Sequence, residues 1–255
     1  MRAALPRRAG AVTMPAVRAL RVLQQQSESL RARVHAEVAS RLDGPATPET
    51  LVDAATLAHA AMDDAGARVL AHGARQPACA AGCSHCCHVH ADATVPEILA
   101  IVAHLAASWT EEAREALRER LARQASLVAH LDDQERWAAR IPCALLDGAG
   151  LCSIHAARPL RCRAFHSCAV EPCREAFAGR SEAGPDRIAR LDQAHDAVEQ
   201  GYDGALAGSG VSAAGHRLEM ALLLALDDPD AGRRWLAAAR GDGEDPFARA
   251  RPPGP

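Results

Sequence analysis

A chain of 255 residues with 29 basic and 32 acidic side chains has a formal charge of −3, which excludes the strong single-sign field of a general nucleic-acid or anionic-membrane binder. A single domain of this length buries roughly 70 to 75% of the surface its unfolded chain exposes, so the nine cysteines are not needed as disulfide staples. Every basic residue is arginine, a coding bias without functional content.

The elements are expected in the following chain order. Residues 1–14 read as a flexible leader, with Arg7 and Arg8 but no apolar run long enough for a signal peptide. Val17, Leu20, Leu23, Leu30, Val34, Val38 and Leu42 then recur at three, four or seven residue steps, the stripe of an amphipathic helix. Thr47 before Pro48 supplies an N-cap and first-turn proline for a second helix, about 48–71. Residues 95–107 form a third, opened by Pro96. Thr110 with Glu111, Glu112 and Glu115 starts a fourth that runs to about 139, its acidic residues placed where the helix dipole favours them. In "IPCALLDGAGLCSIHAARPLRCRAFHSC" two short runs flank the turn "GAG", a small β-hairpin, and Pro159 opens a short helix. Helices return at about 185–207, 216–225 and 229–239, and 241–255 reads as a flexible tail. No segment approaches the ~18 to 20 apolar residues of a membrane span. The expected fold is mainly α, a single helical domain over 15–240 around an irregular cysteine-rich core.

That core comes in two parts. The stretch "CAAGCSHCCHVH" holds Cys79, Cys83, Cys86 and Cys87 among His85, His88 and His90. A second group, Cys143, Cys152, Cys162, Cys168 and Cys173, follows a helical insertion. Each contains at least the four thiols that tetrahedral zinc or an iron-sulfur cube requires, and two such groups in one chain are a metal signal rather than a set of buried small hydrophobes. Adjacent side chains of an extended or turn backbone point in different directions unless the chain folds sharply there, so Cys86 and Cys87 suggest two metals, or one ligand and one reactive thiol. On the helix opened by Pro159, Cys162 and His166 sit at i and i+4 and share a face.

The segments "CAAGCSHCC" and "PCALLDGAGLCSIHAARPLRCRAFHSC" resemble the zinc- or iron-chelating domain family with a CxxxCxxCC cluster, the YkgJ-type proteins. The second signature of that family has the form CPFL…CxIYxxRPxxCRxFPxC. Cys79, Cys83, Cys86, Cys87, Cys143, Cys152, Arg158, Pro159, Cys162, Arg163, Phe165 and Cys168 fall on the pattern in order. The resemblance implies zinc or iron-sulfur binding through the eight cysteines, and one branch of the family comprises flagellin lysine N-methylases. The chain departs from the pattern at Ala144, His155 and His166, where proline or aromatic residues, tyrosine and proline are usual.

His88, His155, His166 and Cys173 are therefore additional candidate ligands, against the alternative that they are loop histidines and a bystander thiol. Arg158 and Arg163 either lower the pKa of nearby thiols or hold loop carbonyls. Thiolate-rich ligation suits zinc, copper(I) and iron-sulfur clusters alike. Clustered thiols without a secretion signal point to the reducing cytoplasm. Three functions are expected in order: a cytoplasmic protein holding an iron-sulfur cluster or zinc, with a redox or protein-modifying role; a structural zinc module for protein interaction; and a lysine N-methylase-like enzyme. The last has no glycine-rich nucleotide loop to support it.

Overall fold

The structure is a computed structural model and describes residues 14–252. Ten α-helices, with one two-stranded antiparallel sheet, make up the regular structure of those residues. The leader expected over 1–14 falls outside them except for Met14, which opens α1 (Met14–Ala39). Val34 and Val38 of the expected stripe are fully buried and Leu42 nearly so, while Val17 and Leu20 lie outside the described side chains.

The main seam is α1 against α8 (Ala189–Gly208). It closes at Gly201, where an added Cβ would stand 2.6 Å from the Arg31 carbonyl oxygen; only glycine allows the two backbones to approach this closely. α2 (Pro48–Ala71) packs on α8 and on α3 (Val95–Ser108). Leu51, Ala54, Ala58 and Met62 meet Ile98, Ile101, Val198, Tyr202 and Leu206 in the core, each large side chain contributing about 1.5–3 kcal/mol by leaving water. α9 (Leu218–Asp227) closes the opposite side against α3 and α4 (Glu111–Val128), and α10 (Ala231–Ala239) packs beside it.

The caps explain several boundaries. Thr47 and Thr50 cap each other ahead of Pro48, and Thr110 accepts from the Ala113 amide, as the sequence leads one to expect. The single helix expected over 110–139 is instead two. Asp132 and Glu135 form a capping box of their own that starts α5 (Asp133–Ala138), since a side-chain acceptor three residues ahead of its partner favours a new helix start over continuation.

The sheet also differs from the expectation. The run around "GAG" forms one isolated bridge, Leu146 to Cys152, because the Asp147 carboxylate takes the amides of Ala149 and Leu151 and curls the chain before a ladder can extend. The two strands are β1 (Asp92–Ala93) and β2 (His216–Arg217), in antiparallel register Asp92 to Arg217 and Ala93 to His216. The helix expected from 216 accordingly begins at Leu218. The flexible tail expected from 241 does not hold over the described residues: Phe247 is fully buried, lies 6.0 Å from the His216 ring and leads into a 3-10 turn, Ala248–Ala250.

The candidate metal centre

The residues from Ala78 to Asp186 close on themselves before any side chain is considered. The Ala78 amide donates to the Ser167 carbonyl at 2.8 Å, the Cys143 amide to the Cys87 carbonyl at 2.7 Å, and the Cys168 amide to the Asp186 carbonyl at 2.7 Å. The first two bonds lay the first cysteine group against the second, across the insertion of α3, α4 and α5, and the third ties the end of the second group to the segment before α8. Gly82, at φ +85°, makes the turn between Cys79 and Cys83 that an L-residue would resist.

Cys86 and Cys87 lie in a 3-10 turn, His85–His88. At three residues per turn successive side chains are about 120° apart, rather than opposed as in a strand. The two thiols titrate as a pair: sharing a proton with Cys87, aided by the Arg158 charge, holds Cys86 down to about 7, and the same proton drives Cys87 well up. Around the pair stand Cys143, Cys152 and Cys162, each close enough for its charge to act on another member. Burial raises Cys143 and Cys152 and pushes Cys162 up to about 12. This is the inner group.

The outer group is wetter. Cys79 is exposed, and its sulfur accepts the Ser167 amide at 3.3 Å. Cys83 is raised by burial and by the charge of Cys79, and feels Cys86 and Cys173 as well. Cys173 projects from α7 (Val170–Phe177), a helix not expected from the sequence. The guanidinium of Arg75, paired with Asp186, reaches Cys168. The division into inner and outer thiols thus cuts across the two sequence groups.

Cys83, Cys143 and Cys152 share one local device. Each sulfur lies within reach of the backbone amide two residues on, at His85, Leu145 and Ile154. Amide donors of this kind favour the thiolate, the form that binds a metal.

The arginines divide their roles. Arg158 donates to His155 Nε2 at 2.7 Å, and its charge favours the thiolates of Cys86, Cys152 and Cys162. Arg163 instead holds the Arg158 carbonyl at 2.8 Å, the Ala156 carbonyl, and Asp63 of α2 at 2.5 Å. His166 is not on the helix of Cys162, since α6 (Leu160–Ala164) ends before it. It is buried, Nδ1 bonded to the Ala164 carbonyl and Nε2 accepting the Ile188 amide at 2.9 Å, so neither nitrogen is available to a ligand. His88 turns Nδ1 to the Ser84 carbonyl and packs its ring, tilted by 57°, against Phe177 with centroids 4.6 Å apart.

Three buried groups absent from the sequence reading position this assembly. Arg136, only 1% exposed, pairs with Glu219 at 2.5 Å and reaches the carbonyls of Ile141 and Pro142. Glu219 also accepts the Ala144 amide at 2.7 Å, beside Cys143. Glu97 is a buried capping-box residue of α3 whose second oxygen takes the Leu160 amide at 2.8 Å, at the start of the helix that carries Cys162. Burial opposes its charge, but His59 and the amides of Leu160 and Thr94 outweigh that and hold it below the ordinary carboxylate value. Glu97 was legible as the fourth residue of Thr94-x-x-Glu97, and Glu219 as the one charge in the apolar run "LEMALLLAL"; nothing local marks Arg136.

Among the described residues all nine cysteines are free thiols, and no three or more Cys, His, Asp or Glu side chains converge on a common point as they would around an ion. The donor set nevertheless fits a soft or borderline metal: thiols in quantity, amide donors to sulfur and a cation beside them. No helix of the described residues is long and apolar enough to cross a membrane.

Fold and donor set together define a mainly helical protein built around a cysteine-rich metal-chelating heart. Residues 78–183, about two fifths of the chain, match the CxxCxxCC family, described as "Putative zinc- or iron-chelating domain". The match supports a zinc- or iron-chelating function and includes Cys173. No curated protein and no solved structure matches the chain.

Proposed function

We propose that the protein holds iron as an iron-sulfur centre through the inner thiols Cys86, Cys87, Cys143, Cys152 and Cys162, with Cys79, Cys83, Cys168 and Cys173 forming a second, outer ligand set, in a reducing cytoplasm and in a redox role. The observation that carries this reading is the pairing of Cys87 with Cys143 across the backbone, which draws one cysteine of each sequence group into one place. Five inner thiols exceed the four of a closed mononuclear zinc site, whereas a cube takes four and leaves one for chemistry. Arg158 offsets the accumulated negative charge, and the amide donors to sulfur lower it further.

Structural zinc is the second reading, favoured by the scarcity of regular structure between Ala139 and Pro159, a segment that a bound metal would order. Anaerobic purification followed by iron, zinc and acid-labile sulfide analysis and a visible spectrum separates the two. Iron with sulfide in a coloured sample is the expected result; zinc alone in a colourless sample favours the second reading, and a folded sample with neither metal removes both.

A further inference from the structure

His90 has no part in the metal-binding reading, yet it stands where the two cysteine segments meet. Three residues before it the Cys87 carbonyl accepts the Cys143 amide at 2.7 Å, and one residue after it the Ala91 carbonyl accepts the Leu218 amide at 2.9 Å, next to Glu219. The backbone is thus fixed on both sides. Between these ties the half-buried ring brings Nδ1 to 3.2 Å from the Arg136 guanidinium.

Arg136 shows why a histidine serves here. A guanidinium has five N–H donors and no acceptor, and at 1% exposure each donor needs a partner within the protein. Nε donates to the Ile141 carbonyl at 3.4 Å. Nη1 donates to Glu219 Oε2 at 2.5 Å and to His90 Nδ1, and Nη2 to Glu219 Oε1 at 3.1 Å and the Pro142 carbonyl at 3.3 Å. Every donor is matched, and His90 is the one acceptor that comes from the first cysteine segment. The others come from α9 and from the two residues that lead into Cys143.

The tautomer follows from the same accounting. Facing a group that only donates, Nδ1 must offer its lone pair, so the ring proton sits on Nε2 and goes to the Leu131 carbonyl at 3.0 Å, between α4 and α5. Burial and the charges of Arg217 and Arg136 favour this neutral ring over the opposing pull of Asp133. Removing the acceptor strands a buried N–H of Arg136, which costs more than the hydrogen bond itself contributes.

We propose that His90 is a positioning residue of the metal centre, whose Nδ1 acceptor, through Arg136 and Glu219, holds the Cys143 segment against the turn of Cys86 and Cys87. Its role at the centre rests on the metal-binding reading; the link it makes between the two segments does not.

The test compares three substitutions in the anaerobically purified full chain. His90→Leu removes both ring nitrogens, His90→Asn keeps an acceptor at the place of Nδ1, and His90→Gln keeps a polar group only at the place of Nε2. Two quantities are measured: iron and zinc retained per folded chain against EDTA, and the rate of iodoacetamide alkylation of Cys143 in metal-free protein, followed by peptide mass spectrometry. His90→Leu and His90→Gln should hold metal about tenfold or more less tightly and expose Cys143 to alkylation about fivefold faster. His90→Asn should stay near the parent in both, a rescue that a general loss of packing would not produce. Metal retention and alkylation unchanged in His90→Leu overturn the proposal, and so does equal behaviour of His90→Asn and His90→Gln. If the folded parent holds neither metal, the metal-centre reading falls by itself. Alkylation that is still fast in His90→Leu and His90→Gln and slow in His90→Asn then upholds the link between the segments, and any other order removes it.

Discussion

The helical frame and the cysteine heart of this protein are held together by different physics. In the frame, α1, α2, α3 and α8 satisfy their own backbone groups and gain stability by burying Val34, Leu51, Ile98 and Val198. In the heart the backbone has few regular partners, and ionised side chains supply them: Arg136 for Ile141 and Pro142, Glu219 for Ala144, Glu97 for Leu160, Arg163 for Ala156 and Arg158. A segment this rich in cysteine, glycine and proline carries few of the leucines that would otherwise anchor it. Buried charge replaces apolar burial, and those charges are rooted in the frame, Glu97 on α3 and Glu219 on α9.

The contrast is most exposed at the Arg136–Glu219 pair. Arg136→Met leaves Glu219 charged and unpaired in the interior, a loss of about 3–5 kcal/mol, and it frees the carbonyls that shape the approach to Cys143. Chemical denaturation should show that loss, and metal analysis a fall in content; an unchanged metal content would mean that the heart is ordered independently of the frame. Gly201→Ala is the converse experiment. Its new Cβ meets the Arg31 carbonyl and should cost about 1–3 kcal/mol, yet leave metal per folded molecule untouched, since the seam of α1 and α8 lies away from the thiols.

The two thiol groups give a finer division. Cys162→Ser should lower both metal content and thermal stability, because its neighbours are the inner thiols and its helix is pinned by Glu97. Cys173→Ser should lower metal content with little change in melting temperature. Equal thermal effects at both positions would erase the distinction between inner and outer sets.

The smallest effect is expected from pH. His195 and His216 are buried and their pKa values lie below the ordinary 6.5, chiefly because burial disfavours the charged ring. Below about pH 6.5 the unfolded chain then takes up more protons than the folded one, and stability falls with falling pH. Burial raises Asp203 to about 6; its protonation favours the folded state as pH falls and partly offsets the loss. In His216→Gln the melting temperature should decline less between pH 7 and 5.5 than in the parent protein, by the equivalent of about 1 kcal/mol or less.

Much of the frame was legible along the chain. The stripe ending in Val34, Val38 and Leu42, the Thr47-Pro48 start and the Thr110 cap all act locally, within one helical turn, so pattern alone reveals them. The break at Asp132 was overlooked although its capping box is equally local. The heart was legible as composition but not as geometry. Helix α7 packs on the distant turn His85–His88, and the strands Asp92–Ala93 and His216–Arg217 likewise pair across more than a hundred residues. The same holds for Phe247, whose burial against His216 turned an expected tail into part of the core.

The chemistry of this protein was therefore set by residue type and spacing: nine thiols in two dense groups, with the family resemblance that their intervals carry, imply metal chelation whatever the fold. Which thiol stands beside which was a matter for the tertiary structure. Spacing limits only how far two residues can be separated, whereas the pairing of Cys87 with Cys143 and of Ala78 with Ser167 arises from backbone hydrogen bonds between segments far apart along the chain.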